Sequence, residues 1–245
     1  MKIPAFYELL LDGLESEARV EKIVRGVSWT GALLSDGSCG VAMHTLGETR
    51  PRIFETLEGL PARQAARAAL SWNFEEAGEG IAVINACYNT AAREKALGCF
   101  STASTLEGVA LEGKTLGFVG HLVHHSGITA ELVQKAEQFF ILERDPKDGD
   151  YPDSACEYLL PDCSVAVITG SAAVNKTMPR LLELARGAQI ILTGPSVPLC
   201  PGLLELGISR LNGSVIDQPE QLLREIPTRR MSIGAYSHYW TLDKR

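Results

Sequence analysis

Three apolar runs, at residues 113–121 (GKTLGFVGH), 164–177 (SVAVITGSAAVNKT) and 189–196 (QIILTGPS), each halt at a glycine and give way to polar or small residues. A strand buried on both faces reads as such an unbroken Val/Ile/Leu run, and strands of that kind belong to parallel sheets covered by helices. The spacing predicts strands at 115–119, 138–143, 164–169, 189–193 and 209–216. It predicts helices at 128–136, 154–159, 178–186, 201–206 and 219–224. This alternation implies right-handed crossovers and a Rossmann-like α/β sheet. Ligands of such sheets bind beyond the carboxyl ends of the strands. Gly120-His121, Thr169-Gly170-Ser171 and Gly194-Pro195-Ser196 are therefore expected to converge.

The first half reads differently. Phe6, Leu10, Leu14 and Ala18, with Leu9 and Ile23 alongside, recur at helical spacing and predict an opening helix that stops near Gly26. Residues 27–34 and 40–44 predict two strands around Ser35-Asp36-Gly37, where Asp-Gly favours a hairpin turn. After Pro61 an alanine-rich helix is followed by a second, whose apolar stripe runs through Ala77, Ile81, Ile84, Tyr88 and Ala91. The chain divides on this reading into a smaller α+β domain at 1–105 and the Rossmann-like domain at 106–245.

Composition narrows the partners. With 23 Lys and Arg against 30 Asp and Glu, and no basic stripe, a nucleic-acid partner is not expected. No run approaches the length of a membrane helix, and acids interrupt the apolar N-terminus, so no signal peptide, no membrane partner and a cytoplasmic address are expected. The six cysteines form no Cys-x-x-Cys pair and read as reduced, buried thiols. A closed homodimer is the default assembly for such a chain.

The strand ends carry the chemistry. Gly120 is followed by His121-Leu122-Val123-His124-His125 and not by paired glycines, so the backbone cannot close on a pyrophosphate in the dinucleotide manner. His121 with His124 or His125 offers nitrogen donors to a transition metal, or else these rings cap a helix or meet solvent. Glu143 stands where Rossmann folds place an acid that accepts ribose hydroxyls, or else is a solvated strand-end charge. The aspartate-rich stretch 145–153 does not match a calcium loop and reads as an exposed loop able to fold over the site.

Pro179 fits only the first turn of a helix, which makes Thr177, or Asn175, its cap. The amides of that helix start, with the Ser171 and threonine hydroxyls and Lys176, would suit an oxyanion. Pro195, Pro198 and Pro201 stiffen the next loop, where Cys200 is a further candidate metal donor. Asn85 and Asn89 share one helix face and read as ligand contacts or as a polar seam between domains. His44 and Cys39 reach a metal site only if the hairpin meets the crevice.

Taken in order, VGH, the glutamate after the second strand, LLPDCSVAVITGSAAVNKTMPRLLELA and ILTGPSVPLCPGLLELGISRLNGSVID resemble the family named for heavy-metal chelation. Upstream, WTG, the alanine-rich helix and AVINACYN resemble its companion N-terminal domain. The resemblance implies an enolase-N-terminal-like domain joined to a Rossmann-like one, with a pocket between them. It carries motif positions onto Asn85, His121, Glu143, Thr169, Gly170, Asn175, Gly194, Pro195 and Ser196. Together with Ser171 and Thr177 these form the expected ligand site, and His121, His124 and Glu143 the expected metal donors.

Two functions are expected from this reading. One is a small-ligand or metal-chelate binding protein with an interdomain pocket and a transition metal as its candidate cofactor. The other is an enzyme acting on a nucleotide-like or pterin-like molecule, with His121 as acid or base.

Overall fold

The computed structural model describes residues 3–228 and 231–244. The chain opens with α1 (Ala5–Asp12), which buries Phe6, Tyr7 and Leu10. It ends at Gly13, where an added Cβ would lie 2.5 Å from the Tyr88 hydroxyl. The expected continuation to Gly26 does not form: Val20–Arg25 is a strand, β1. Its β-branched Val20, Ile23 and Val24 suit a pleated surface, and pairing with the next strand overrides the local helical spacing.

That neighbour, β2 (Trp29–Leu34), lies between β1 and β3 (Cys39–Met43) in an antiparallel three-stranded sheet. Gly37, at φ +84°, makes the expected Asp-Gly turn between β2 and β3. Helices α2 (Ala62–Ala65) and α3 (Phe74–Tyr88) follow, and a 3-10 turn at Ala66–Leu70 joins the first toward the second. Small residues let α3 sit close to its neighbours: a Cβ on Gly40 would be 2.2 Å from the Ala86 amide nitrogen, and one on Gly80 would be 2.0 Å from that of Ala69. The expected apolar stripe through Ala91 is broken at Asn89, and α4 (Ala91–Leu97) starts afresh under a Thr90 cap.

The second half holds β4 (Thr115–Val119), α5 (Ala130–Val133), β5 (Gln138–Glu143), β6 (Tyr151–Pro152), α6 (Cys156–Leu159) and β7 (Val165–Thr169). It continues through α7 (Met178–Leu184), β8 (Gln189–Thr193), β9 (Ile208–Ile216), α8 (Pro219–Glu225) and β10 (Ser237–Asp243). The sheet order is β10-β9-β8-β7-β4-β5-β6, parallel except for β10. All five expected strands are present. The expected helix at 128–136 shrinks to the single turn α5, and β10 was not foreseen, because an edge strand at the chain's end needs β9 as its template.

The fold class is thus mixed α/β, a small antiparallel sheet with helices preceding a seven-stranded, mostly parallel one. One apolar cluster runs from Phe6 on α1 to Leu242 on β10, so both halves share a core. A smaller cluster packs Leu222 and Leu223 of α8, with Ile226 just after it, against Val24, Trp29 and Val41 of the small sheet. Strand β4 has β5 on one side and β7 on the other, so successive crossovers leave it in opposite directions. Such a switch point opens a crevice at the strands' carboxyl ends.

Candidate functional site

A cavity of about 570 Å³ lies at that crevice. Gly120 at the end of β4 has φ +103°, a conformation that favours glycine, and lets the chain turn against Thr169 of β7. Parallel pairing of Val119 with Leu142 brings Glu143 level with Gly120. The Glu143 carboxylate accepts two backbone N–H groups, His121 at 2.8 Å on Oε2 and Arg144 at 2.7 Å on Oε1. The Arg144 guanidinium turns instead to Asp153, at 3.1 Å.

His121 lines the cavity, and its Nδ1 lies 3.1 Å from Asp150 Oδ2. The same oxygen of Asp150 accepts the Lys147 amide at 3.0 Å. Desolvation opposes the charge on Asp150, but the Lys147 amide and the His121 ring outweigh it and hold the carboxyl below its usual range. The stretch 145–153 does fold back on the site, through Asp150 and Asp153.

On the β7 side, Thr169, Ser171, Asn175 and Thr177 line the cavity. Thr177 does not cap α7: its hydroxyl donates to Asn175 Oδ1 at 2.6 Å, and its amide reaches the same oxygen at 3.2 Å. With that acceptor filled, the Asn175 amide presents its NH₂ as a donor. Lys176 turns away from the cavity, donating to the Ala69 carbonyl and sitting over the Tyr7 ring, so the expected oxyanion nest lacks its cation. Gly194 and Pro195 supply the third strand end.

Four expected residues lie outside the lining. Asn85 is buried behind Pro195 and donates to the Val41 carbonyl at 2.7 Å. Ser196 is buried too, and its hydroxyl accepts the Met43 amide at 2.9 Å. Gly170 packs against the Ser196-Val197 backbone, where a Cβ would meet atoms at 2.7 Å. His124 is passed over in favour of His125, which lines the cavity. Asn85, Ser196 and Gly170 hold the wall in place. Asn89 does the same, donating to the Val197 and Ser214 carbonyls.

The first-half hairpin does reach the crevice, through Ser28, Trp29 and Met43, while Met231, Ser232, Ile233 and Tyr239 close it from the C-terminal side. Trp29 Nε1 donates to the Met231 carbonyl at 2.9 Å and ties the two walls together. Sequence reasoning missed these residues and Asp150; WTG was the one local signal for Trp29. Among the described residues the non-glycine positions with left-handed backbone are His124, Ser126 and Lys176, in the loops after β4 and β7. Strain of that kind persists where packing over-determines a loop and is enriched at binding sites.

The cavity does not suit a bare metal ion. Among the described residues no three His, Cys, Asp or Glu side chains are grouped to hold one. Burial pushes the Cys156 thiol at the cavity wall up to about 11, which leaves it protonated and a poor donor. Cys39, pushed by burial up to about 12, and Cys200 lie in the core.

A family model described as "Putative heavy-metal chelation" matches residues 103–228, and a second with the same description matches 7–88. A crystal structure of a protein of unknown function from the DUF364 family of Desulfitobacterium hafniense is similar over 98% of both chains, at 32% identity and TM-score 0.83. One from Pyrococcus horikoshii shares the fold at 21% identity and TM-score 0.77, over 97% of this chain and 98% of its own. An uncharacterized protein of Methanocaldococcus jannaschii is 30% identical over 118 residues, 45% of this chain and 44% of the relative's length. No helix among the described residues is long and apolar enough to cross a membrane.

Proposed function

For this chain, which belongs to the DUF364 family and carries that family's description of heavy-metal chelation, we propose that metal is handled as a chelate. A small organic ligand, with or without its metal, occupies the cavity between the module at 1–105 and the module at 106–245. The observation that carries this reading is a contrast. The cavity presents fixed hydrogen-bonding groups from several strand ends, yet the described residues offer no three-donor set for a naked ion. Metal is then cargo, coordinated mainly by its own chelator, and the protein grips the organic part. His121 Nε2 is the one protein nitrogen proposed to approach the metal.

The test is equilibrium dialysis of untagged protein against Ni²⁺, Co²⁺, Zn²⁺ or molybdate, each alone and as a citrate or catecholate complex. Retained metal is counted by elemental analysis. The expected result is retention and a raised Tm with a complex, both lost in Ser171→Phe, which fills the cavity. Stoichiometric retention of a bare ion that survives Ser171→Phe, or no retention at all, would sink the reading.

A second reading, an enzyme for a nucleotide-like or pterin-like substrate, is favoured by one feature. The His121–Asp150 pair leaves Nε2 as the ring nitrogen without a partner among the described residues, which is the arrangement of a general base held by a carboxylate. Turnover of a bound pterin or nucleotide that disappears in His121→Gln, with binding retained, would establish it over simple binding. We carry the homodimer and the cytoplasmic address forward as proposals, tested by sedimentation and by cell fractionation.

A further inference from the structure

Away from the interdomain cavity, and sharing no lining residue with it, a cleft of about 490 Å³ opens on the small module. Its walls are the turn after α1, the turn between β2 and β3, and the junction of α3 with α4. Gly13, Ala18, Ala86 and Ala92 line it, and residues this small leave a hollow that larger side chains would fill. The fresh start of α4 under Thr90 sets Arg93 in the wall.

Arg93 is a charge that the fold encloses without pairing. Its side chain is 28% exposed, and the guanidinium is pinned 5.0 Å from the centroid of the Tyr88 ring. Nε is sealed from water with no hydrogen-bond partner among the described residues. The Glu15 carboxylate, 3.9 Å from Nη1 and on a side chain 86% exposed, stops short of a hydrogen bond. A guanidinium has five donors and no acceptor, so one desolvated in this way is stabilised by an oxyanion at the donors still open, here the Nη groups. Two hydroxyls of the cleft add to them. Ser35 Oγ accepts the Arg19 amide at 3.0 Å and Thr90 Oγ1 the Arg93 amide at 3.3 Å, which leaves each hydroxyl hydrogen uncommitted among the described residues.

A simple anion is nonetheless the wrong occupant. Glu15, Glu17 and Asp36 stand exposed around the cleft, and the chain as a whole carries a net charge of −7. An anion approaching Arg93 passes these carboxylates, whereas a ligand with a cation beside its anion meets a partner for each charge. We propose that this cleft is a second binding site, for a free α-amino acid, whose carboxylate pairs with Arg93 and whose ammonium pairs with Glu15. An α-amino acid carries both charges on one carbon, which suits a guanidinium and a carboxylate that face each other too loosely to bond directly. Its insertion gives Arg93 the hydrogen bonds it lacks, and the small apolar residues of the wall receive its side chain.

The standard L-amino acids are screened one at a time against the full untagged chain by thermal shift. Those that stabilise it are titrated by calorimetry beside their des-amino and decarboxylated analogues, for alanine propionate and ethylamine. At least one amino acid is expected to raise Tm and to bind about tenfold or more tightly than either analogue, since each analogue gives up a charge-assisted hydrogen bond. Arg93→Met, which keeps an unbranched side chain against Tyr88, is expected to abolish binding. Glu15→Gln changes an exposed side chain and leaves the core untouched; it is expected to weaken the amino acid about tenfold without weakening the des-amino analogue. His121→Gln, in the interdomain cavity, is expected to leave binding intact. The site is overturned if no amino acid stabilises the chain, if an analogue binds as tightly, if binding survives either cleft variant unweakened, or if it is lost in His121→Gln.

Discussion

The side chain of Asn89 accepts a hydrogen bond from the Leu199 amide at 2.8 Å, joining the end of α3 to the proline-rich loop after β8. Its NH₂ group donates to the Val197 carbonyl at 2.9 Å and the Ser214 carbonyl at 3.1 Å. One buried amide therefore satisfies three backbone groups on two separate segments of the second half. The first of them, the loop after β8, carries Gly194 and Pro195 into the cavity wall.

Asn89→Ala leaves all three partners buried without a hydrogen bond. Stability should fall by about 3 kcal/mol or more, since each orphaned buried group costs about 1–3 kcal/mol. Urea denaturation measures this. A loss under about 1 kcal/mol would mean that the loop is held by its prolines alone.

Lys176 makes stability depend on pH. Burial pushes its ammonium down to about 7 from 10.5, with the Glu76 charge acting in the opposite sense. Between those values the unfolded chain holds a proton that the folded one has released, so stability rises with pH above about 7. The rise should end near pH 9, the ordinary value of the thiols, because thiols such as buried Cys39 and half-buried Cys87 keep their protons when folded and reverse the slope. Lys176→Met should flatten the slope between pH 7 and 9, measured as Tm against pH. An unaltered slope would assign it to other groups.

His238 acts with the other sign. Burial alone would lower its pKa, but its hydrogen bonds to Asp217 and Glu94, each at 2.8 Å, outweigh burial and raise it. The stability it contributes is full below the unfolded value of 6.5 and is lost as pH rises through the higher folded value. The bonds tie β10 to α4, so the protection of β10 amides, taken relative to their intrinsic exchange rate at each pH, should fall on going from about pH 6 to pH 8. In His238→Phe that protection should be low at both.

Asp150 should fix the tautomer of His121. With Nδ1–H directed at the carboxylate, ¹⁵N NMR is expected to show an unprotonated Nε2 in the neutral ring. Asp150→Asn removes the preference and should weaken ligand binding about tenfold, as loss of a carboxylate behind a functional imidazole does. An identical nitrogen pattern in the variant would remove Asp150 from the site.

How much of this was legible follows from where each signal is written. Strands β4, β7 and β8 are short, continuously apolar and end in glycine, so their ends were marked residue by residue, and with them Gly120, His121, Thr169 and Gly194. The Asp36-Gly37 turn was marked in the same local way. Strand β1 was misread as helix because Leu14, Ala18 and Ile23 also match a helical spacing. Only the partner strand β2 decides against it. Asn85, Gly170 and Ser196 lie behind the cavity lining and not in it, because whether a residue faces a cavity or braces it is a matter of side-chain direction that no spacing encodes.

The sequence by itself determined the parallel strands, their order along the chain and the loops from which a site had to be built, because buried-strand periodicity and glycine stops are local properties of the chain. Tertiary structure decided that β4 has β5 and β7 on opposite sides, that Trp29 and Met231 close the crevice, and that Asp150 backs His121. Those relations join residues far apart in sequence, and they are fixed by which surfaces bury each other and which polar groups must be satisfied once buried.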